Sequence, residues 1–534
     1  MSRRRTSAAA GLALLLTLAC ADASATWRYR LTLRDKAGAS LAALSERAMA
    51  RREAQGIGLD SLDLDLSPLY VDSLCDAGFV EVTRSRWMNT IVVQRPDGAA
   101  VPDSVWAGFG FVAARQTVSQ TQSYAYAPPA PHAGGLAGSL APDGADPAPR
   151  RANARKYGTL TRLDGDGGRL PLETFRTPVL EVKGQALLAA GHRGAGMLIA
   201  VLDAGFRHID QRDHLHRNVV GWRDMYHPSA SDSTYIYGGV ADSHGAECLS
   251  AMASDSARGV WGTAPDAHFF LVRTEYALHE TPLEEDMWIA GAELADSLGA
   301  DLISSSLGYY EFDIAGTSYT QSQLGTGQAF ITRGAEAAAA RGILVVCAAG
   351  NEGYTSWDAI DFPADAENVV AVGATTPQRT VATFSSPGFL QPWVKPDVVC
   401  RGQDAYVINT STGAPMLGNG TSYATPLMCG LIASLWAAAP SLTATQVRDV
   451  VRRSAHLYDA PNVRFGYGLP DFSVALAKAL ELEATTGLRS RPVEDGPQPA
   501  APLYDLTGRR LAAPPASGPY IEAAGRRLVV RLAR

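Results

Sequence analysis

The apolar positions along the chain fall into distinct patterns. Near the start, Trp27–Leu33 alternates apolar and polar residues, which predicts a half-buried strand. Residues 40–55 predict a helix whose exposed positions are rich in arginine. Residues 68–77 predict a second helix, and residues 80–93 one or two strands. From 121 to 155 the periodicity gives way to Ala, Pro and Gly, as in Ala127-Pro128-Pro129-Ala130-Pro131, a composition that buries little and behaves as a linker. Beyond it come continuous apolar runs, Met197–Leu202 and Ile343–Ala348, which predict strands buried on both faces, as in a parallel sheet covered by helices. Ala246–Ala253 and Leu427–Ala439 predict two such helices. Residues 484–500 are polar and Pro-containing, and Leu503–Leu532 predicts short strands around Gly-containing turns. The pattern gives an α/β protein with a mainly parallel sheet. Its segments are 1–25, a small α/β unit at 26–120, a linker at 121–156, a large domain at 157–482, a second linker at 483–500 and a short β tail at 501–534.

The first segment reads as a targeting signal. Arg3-Arg4-Arg5 precede the apolar run Gly11–Ala21, and Ala23-Ser24-Ala25 offers a small-x-small cleavage site, as in a secretory signal peptide. A rival reading takes Thr17-Leu18-Ala19-Cys20 as a lipobox that would anchor the protein through Cys20; the Thr where Leu is usual argues against it. The 534 residues allow three or four structural units. Apolar residues at 46% and charged residues at 19% supply a large core and exclude whole-chain disorder. A mean hydropathy of −0.04 excludes a polytopic membrane protein. The net charge of −7 argues against nucleic-acid binding through bulk charge; losing three arginines and one aspartate with the leader takes it to −9. Of six cysteines, five lie beyond the leader, an odd number with no framework spacing. Cys347 and Cys429 read as small buried apolar residues.

Candidate chemistry concentrates in the large domain. The run Met197–Leu202 ends in Asp203, at the carboxyl end of a buried strand, where ligands gather in open α/β sheets. Asp242-Ser243-His244-Gly245 leads into the small-residue helix, which either Asp242 or Ser243 could cap, with His244 in its first turn. The second buried run leads to Ala349-Gly350-Asn351; an Asn beside Gly is either a turn residue or an amide donor for a developing oxyanion. Asn419-Gly420-Thr421-Ser422-Tyr423-Ala424-Thr425-Pro426 enters the apolar helix. There Ser422 is either a plain cap or a nucleophile at a helix N-terminus, and Pro426 is expected in the first turn. Each residue alone has a structural explanation. Their shared order, Asp, His, Asn, Ser, each at a strand end or helix start, points to one site.

These blocks resemble the subtilisin-like (S8) serine peptidases, with Ser305-Ser306-Leu307-Gly308, Pro363-Ala364-Asp365-Ala366, Phe384-Ser385-Ser386 and Lys395-Pro396-Asp397-Val398 adding to the match over about 157–482. The N-terminal unit is similar to the leader of secreted S8 peptidases of the Bacteroidetes, through Asp35-Lys36, Leu44-Ser45-Glu46-Arg47-Ala48, Arg51-Arg52 and Ser85-Arg86-Trp87-Met88-Asn89. The tail, with Leu503-Tyr504-Asp505-Leu506-Thr507-Gly508, resembles a short type IX secretion sorting domain. The resemblance implies a three-layer subtilisin-like domain with a propeptide that inhibits and chaperones it. It implies a triad of Asp203, His244 and Ser422, an oxyanion donor in Asn351, and a substrate-pairing strand at Ser306, Leu307 and Gly308. Polypeptide substrates, the protein's own propeptide and the type IX machinery are the implied partners, with no nucleic acid. No cofactor is needed for the chemistry, and no ligand set commits to a metal, although structural calcium is common in such peptidases. The expected product is a secreted or cell-surface endopeptidase made as an inactive precursor. Arg150, Arg151 and Arg155 are candidate processing sites.

Three other readings compete. A catalytically silent S8-fold binding or assembly protein would keep the fold without activity, although silent members usually lose a triad residue. His208, Asp210, Asp213, His214 and His216 form a dense cluster that could bind a metal, His214 and His216 sharing a face if extended, or could be a polar surface loop. An α/β-hydrolase esterase is disfavoured by the residue order and by Gly-x-Ser-x-Ala in place of Gly-x-Ser-x-Gly.

Overall fold

The computed structural model describes residues 25–122, 159–161, 172–229, 232–238, 241–254, 261–276 and 279–486, with strands of the tail between 503 and 533. Most of the leader and of both linkers, with the candidate processing arginines, lies outside the described residues; strands reach back to Ala25 and on to Gln122, and a helix runs on to Thr486.

The N-terminal unit is a four-stranded antiparallel sheet of β1 (Ala25–Leu33), β2 (Val80–Ser85), β3 (Thr90–Gln94) and β4 (Val112–Gln122), in the order β2-β3-β1-β4. The alternation of β1 places Tyr29, Leu31 and Leu33 in a small core with Leu74, Phe79, Ile91, Val93 and Trp106. The helix predicted over 40–55 is shorter, Glu46–Ala54, and begins where the Ser45 side chain accepts the Ala48 N–H at 3.1 Å. Its arginines are not on a solvated face. Arg51 and Arg52 are buried against Asp296 of the large domain. The periodicity shows a polar face but not that another unit's carboxylates cover it.

In the large domain β5 (Thr159–Thr161) pairs at the periphery, and a seven-stranded sheet forms the centre. Its strands are β6 (Leu198–Asp203), β7 (Val219–Asp224), β8 (His268–Arg273), β9 (Leu302–Ser305), β10 (Leu344–Ala348), β11 (Val370–Thr375) and β12 (Val398–Arg401). All pairings are parallel, in the order β12-β11-β10-β9-β6-β8-β7. Ile199 and Val201 face one core with the helices His244–Ala253 and Thr421–Ala438. Leu198, Ala200 and Leu202 face the other with the helices Leu283–Leu298 and Phe330–Ala340. A strand with both faces covered needs apolar residues throughout, hence the unbroken runs. From β6 the chain proceeds to one side of the sheet and from β9 to the other. The ends of these neighbouring strands therefore open a crevice, the usual ligand position in such sheets.

The two units meet along the helix Leu283–Leu298. Val92 and Val118 pack on Leu283 and Met287. Around this apolar seam Arg30 pairs with Asp286 at 2.6 Å, Arg52 bridges Asp63 and Asp296 at 2.8 and 2.6 Å, and Arg86 reaches Asp296 at 3.2 Å. Glu293 accepts the Ser85 hydroxyl at 2.6 Å and the Trp87 N–H at 3.0 Å. In the tail, Leu503–Tyr504, Arg510–Leu511, Gly518–Ala524 and Arg527–Ala533 pair as an antiparallel sheet. Among the described residues no helix is long and apolar enough to cross a membrane.

Candidate active site

Asp203 ends β6 and is fully buried. Its Oδ1 accepts the Ala204 N–H at 2.7 Å and lies 2.8 Å from His244 Nδ1. His244 opens its helix; Asp242, not Ser243, supplies the cap, accepting the His244 N–H at 2.7 Å. The next position must be glycine, because a Cβ on Gly245 would stand 2.6 Å from the Gly205 carbonyl and 2.7 Å from the Asp203 Cβ. The imidazole thus rests directly against the strand end. Burial opposes its protonation, but the Asp203 carboxylate outweighs burial and raises the His244 pKa well above its ordinary value.

Ser422 is the second residue of the helix Thr421–Ala438, where unpaired N–H groups and the helix dipole favour negative charge. Its hydroxyl donates to the Ser306 carbonyl at 3.3 Å. Pro426 is the sixth residue of this helix, not in its first turn as expected. Its missing N–H would otherwise have served the Ser422 carbonyl. That oxygen instead accepts the Ser306 hydroxyl at 2.8 Å and the Cys248 thiol at 3.4 Å. The proline is tolerated because the carbonyl it orphans finds these partners. The same Cys248 sulfur lies 3.8 Å from His244 Nε2, so thiol, imidazole and serine meet at one point. Burial pushes the Cys248 thiol up, which keeps it protonated near neutrality.

Asn351 follows β10 after Gly350, whose φ of +108° favours glycine. The Asn351 amide oxygen accepts the Thr421 N–H at 2.9 Å and the Thr421 hydroxyl at 3.1 Å. Both donors identify the oxygen end of the amide and turn its NH2 end away from Thr421. Ser306, Leu307 and Gly308 leave the end of β9, with Leu307 in the core and Ser306 tied to Ser422. The structure therefore brings all seven predicted site residues to the crevice side of β6, β9 and β10.

Other residues here were not anticipated. Cys248 lies four residues after His244, a helical spacing that puts both on one face. Glu247 accepts the Ser243 hydroxyl at 2.9 Å and the Tyr423 hydroxyl at 3.3 Å, and burial pushes its carboxyl up to about 7. Asp361 and Glu352 are buried beside Gly350 and Asn351; the only sign of Asp361 in sequence is one acid within the apolar stretch Ala359–Phe362. Of the two readings of His208, Asp210, Asp213, His214 and His216, a metal cluster or a polar loop, the metal one lacks its geometry among the described residues. His214 and His216 sit in a single helical turn, Asp213–His216, so alternation cannot put them on one face. Among the described residues the groups within ligand reach are Asp203-His244-Cys248 and Glu275-Glu280-Glu284.

The subtilase family model matches residues 194–468, just over half of the chain. The chain belongs to the subtilase family. A second model, the peptidase S8 propeptide domain of Bacteroidota, matches residues 28–124, so this subtilisin-like serine endopeptidase carries a propeptide. The sequence is 30% identical over 306 residues to subtilisin E of Bacillus subtilis (strain 168), covering 56% of this chain and 70% of that one. It is equally identical to a Bacillus pumilus subtilisin, covering 97% of it. Subtilisin DY of Bacillus licheniformis is 29% identical over 276 residues, covering 51% of this chain and 89% of the relative. Among solved structures, a protease from Pseudoalteromonas arctica has a TM-score of 0.44 at 21% identity, covering 56% of this chain and 94% of its own. The self-cleaved protease domain of PatA has 0.42 at 21%, covering 54% and 98%.

Proposed function

We propose that Ser422, His244 and Asp203 carry out peptide hydrolysis, and that the protein is an exported endopeptidase made as an inactive precursor. The observation that carries this reading is the buried Asp203–His244 pair at 2.8 Å, set against a serine at a helix N-terminus. Asp203 occupies Nδ1 and so fixes the tautomer that leaves Nε2 as the base. The Ser422 hydroxyl rotates from the Ser306 carbonyl to Nε2, gives up its proton and attacks the scissile carbonyl. His244 then delivers that proton to the leaving amine, and a water repeats the sequence to release the acyl group. The Asn351 amide and the Ser422 N–H stabilise the tetrahedral oxyanion. The segment Ser306–Gly308 pairs with the substrate backbone as an added strand. This chemistry requires no cofactor.

The N-terminal unit is proposed to hold the precursor silent through its seam on the helix Leu283–Leu298 until it is cut away in the linker. The leader directs export, and the tail, by its resemblance, engages a type IX sorting system. The triad reading is tested with Asp203→Asn, His244→Ala and Ser422→Ala in the processed protein. Each is expected to lower kcat by at least about a thousandfold with little change in KM. Peptide hydrolysis surviving in Ser422→Ala would reject it.

A further inference from the structure

Three charged residues stand side by side where the central sheet opens. The strand register sets Asp203, at the end of β6, beside Arg273 at the end of β8, and Arg273 beside Asp224 at the end of β7. All three are buried. Arg273 Nη1 donates to Asp224 Oδ2 at 3.0 Å, and Arg273 Nε donates to the Ala204 carbonyl at 3.2 Å. The guanidinium also lies over the rings of Tyr226 and Tyr276, 5.4 and 5.8 Å from their centres, where the negative ring faces favour a cation. Asp224 is braced in turn. Its Oδ1 accepts the Tyr226 N–H at 2.9 Å, and its Oδ2 lies 2.8 Å from His227 Nδ1.

The hydrolytic steps use neither Arg273 nor Asp224, and a buried ion pair adds little stability over well-packed apolar side chains. What the pair fixes is Ala204. The Ala204 N–H donates to Asp203 Oδ1 at 2.7 Å, and the same oxygen faces His244 Nδ1 at 2.8 Å. Asp203 Oδ2 is buried and has no hydrogen-bond partner among the described residues, so the carboxylate is steered through one oxygen. Before Ala204, the Thr274 N–H holds the Asp203 carbonyl at 3.0 Å. After it, Arg273 holds the Ala204 carbonyl. Both grips come from the end of β8, and releasing the second lets the Ala204 peptide turn and carry the carboxylate off the imidazole.

We infer that Arg273, braced by Asp224, is a positioning residue that holds Asp203 in line with His244. The inference rests on the triad reading above. The planar fork does the holding, not the charge alone. It spans a carboxylate and a carbonyl in fixed geometry while resting on two rings, and a lysine ammonium, a single point on a flexible stem, does not reproduce that.

The test uses the processed enzyme and one peptidyl p-nitroanilide, with active sites counted by fluorophosphonate labelling carried to its end point. Arg273→Lys keeps the charge and removes the fork. Arg273→Gln combined with Asp224→Asn removes one charge of each sign, so the net charge beside Asp203 is unchanged. Each is expected to lower kcat per labelled site by at least about tenfold, with KM changed by less than about twofold. Each should also move the acid limb of kcat/KM down by at least about half a pH unit, as the imidazole loses its carboxylate. A merely structural role would lower the thermal midpoint without that shift. If the double variant does not fold, Arg273→Lys decides the matter. Folded variants that label fully and keep the wild-type kcat and acid limb overturn the inference and leave the triad reading intact. So does a fall in kcat with the acid limb unmoved. A folded, processed wild type that does not label overturns both.

Discussion

At the scale of single residues, the site depends on a few charges placed where water does not reach. In the proposed mechanism His244 must be neutral to accept the serine proton, and Asp203 raises its pKa well above the ordinary value despite burial. The acid limb of kcat/KM is therefore expected above the ordinary imidazole range of about 6.5, and Asp203→Asn should move it down while lowering the plateau. A pH–rate profile on a fixed peptide substrate checks both. Glu247 runs the opposite way. Its folded-state pKa of about 7 exceeds its unfolded value, so it binds a proton more tightly when folded. It therefore costs stability progressively as pH rises through that window, and in full above it. Glu247→Gln should raise stability by up to about 3 kcal/mol above pH 8 and by little near pH 5. Thermal midpoints at the two pH values, in a Ser422→Ala background that prevents self-digestion, measure the difference. Asn351→Ala should lower kcat by about 10²–10³ with little change in KM, measured on the same peptide substrate. That Asp203, His244, Asn351 and Ser422 gather at one end of the sheet was legible because each follows a strand or opens a helix in a local pattern. Asp361 was not. Its position depends on two glycines far from it in sequence, at 308 and 350, and no local period encodes that contact.

At the scale of elements, the continuous apolar runs correctly announced buried parallel strands, because a strand covered on both faces has no polar side to show. The helix Thr421–Ala438 shows where such reading stops. Gly420 and the apolar stretch were visible, but Pro426 was expected in the first turn because a proline deeper in a helix orphans a carbonyl. The partners that compensate, Ser306 and Cys248, come from two other elements. Ser306→Ala removes the shorter of these bonds. It is expected to lower stability by about 1–3 kcal/mol, seen as a lower unfolding midpoint in the Ser422→Ala background. Substrate pairing through the 306 backbone should survive. The helix Glu46–Ala54 gives the complementary lesson. Its arginines looked solvated because a single sequence shows a helix's polarity without showing what covers it.

At the scale of the whole molecule, the N-terminal unit and the peptidase domain share one apolar seam ringed by buried Arg–carboxylate pairs. Removing one partner of such a pair strands the other, at a cost of about 3–5 kcal/mol. Asp296 meets Arg51, Arg52 and Arg86 at once. Asp296→Ala should therefore weaken retention of the cleaved N-terminal unit by at least about a hundredfold, measured as its dissociation from the processed Ser422→Ala complex. Salt should affect this much less than the substitution does, because the pairs are shielded from solvent ions. That a small unit precedes the peptidase domain agrees with the composition shift between them, but the docking face was not legible, since it joins residues more than two hundred positions apart. On this reading, processing unmasks a serine activated by His244 and Asp203. Fluorophosphonate labelling of the precursor, the processed protein and processed Ser422→Ala tests it most directly. Strong labelling of the processed wild type, weak labelling of the precursor and none of the variant are expected. A folded, processed wild type that stays unlabelled would contradict this reading and favour an S8 fold kept for binding.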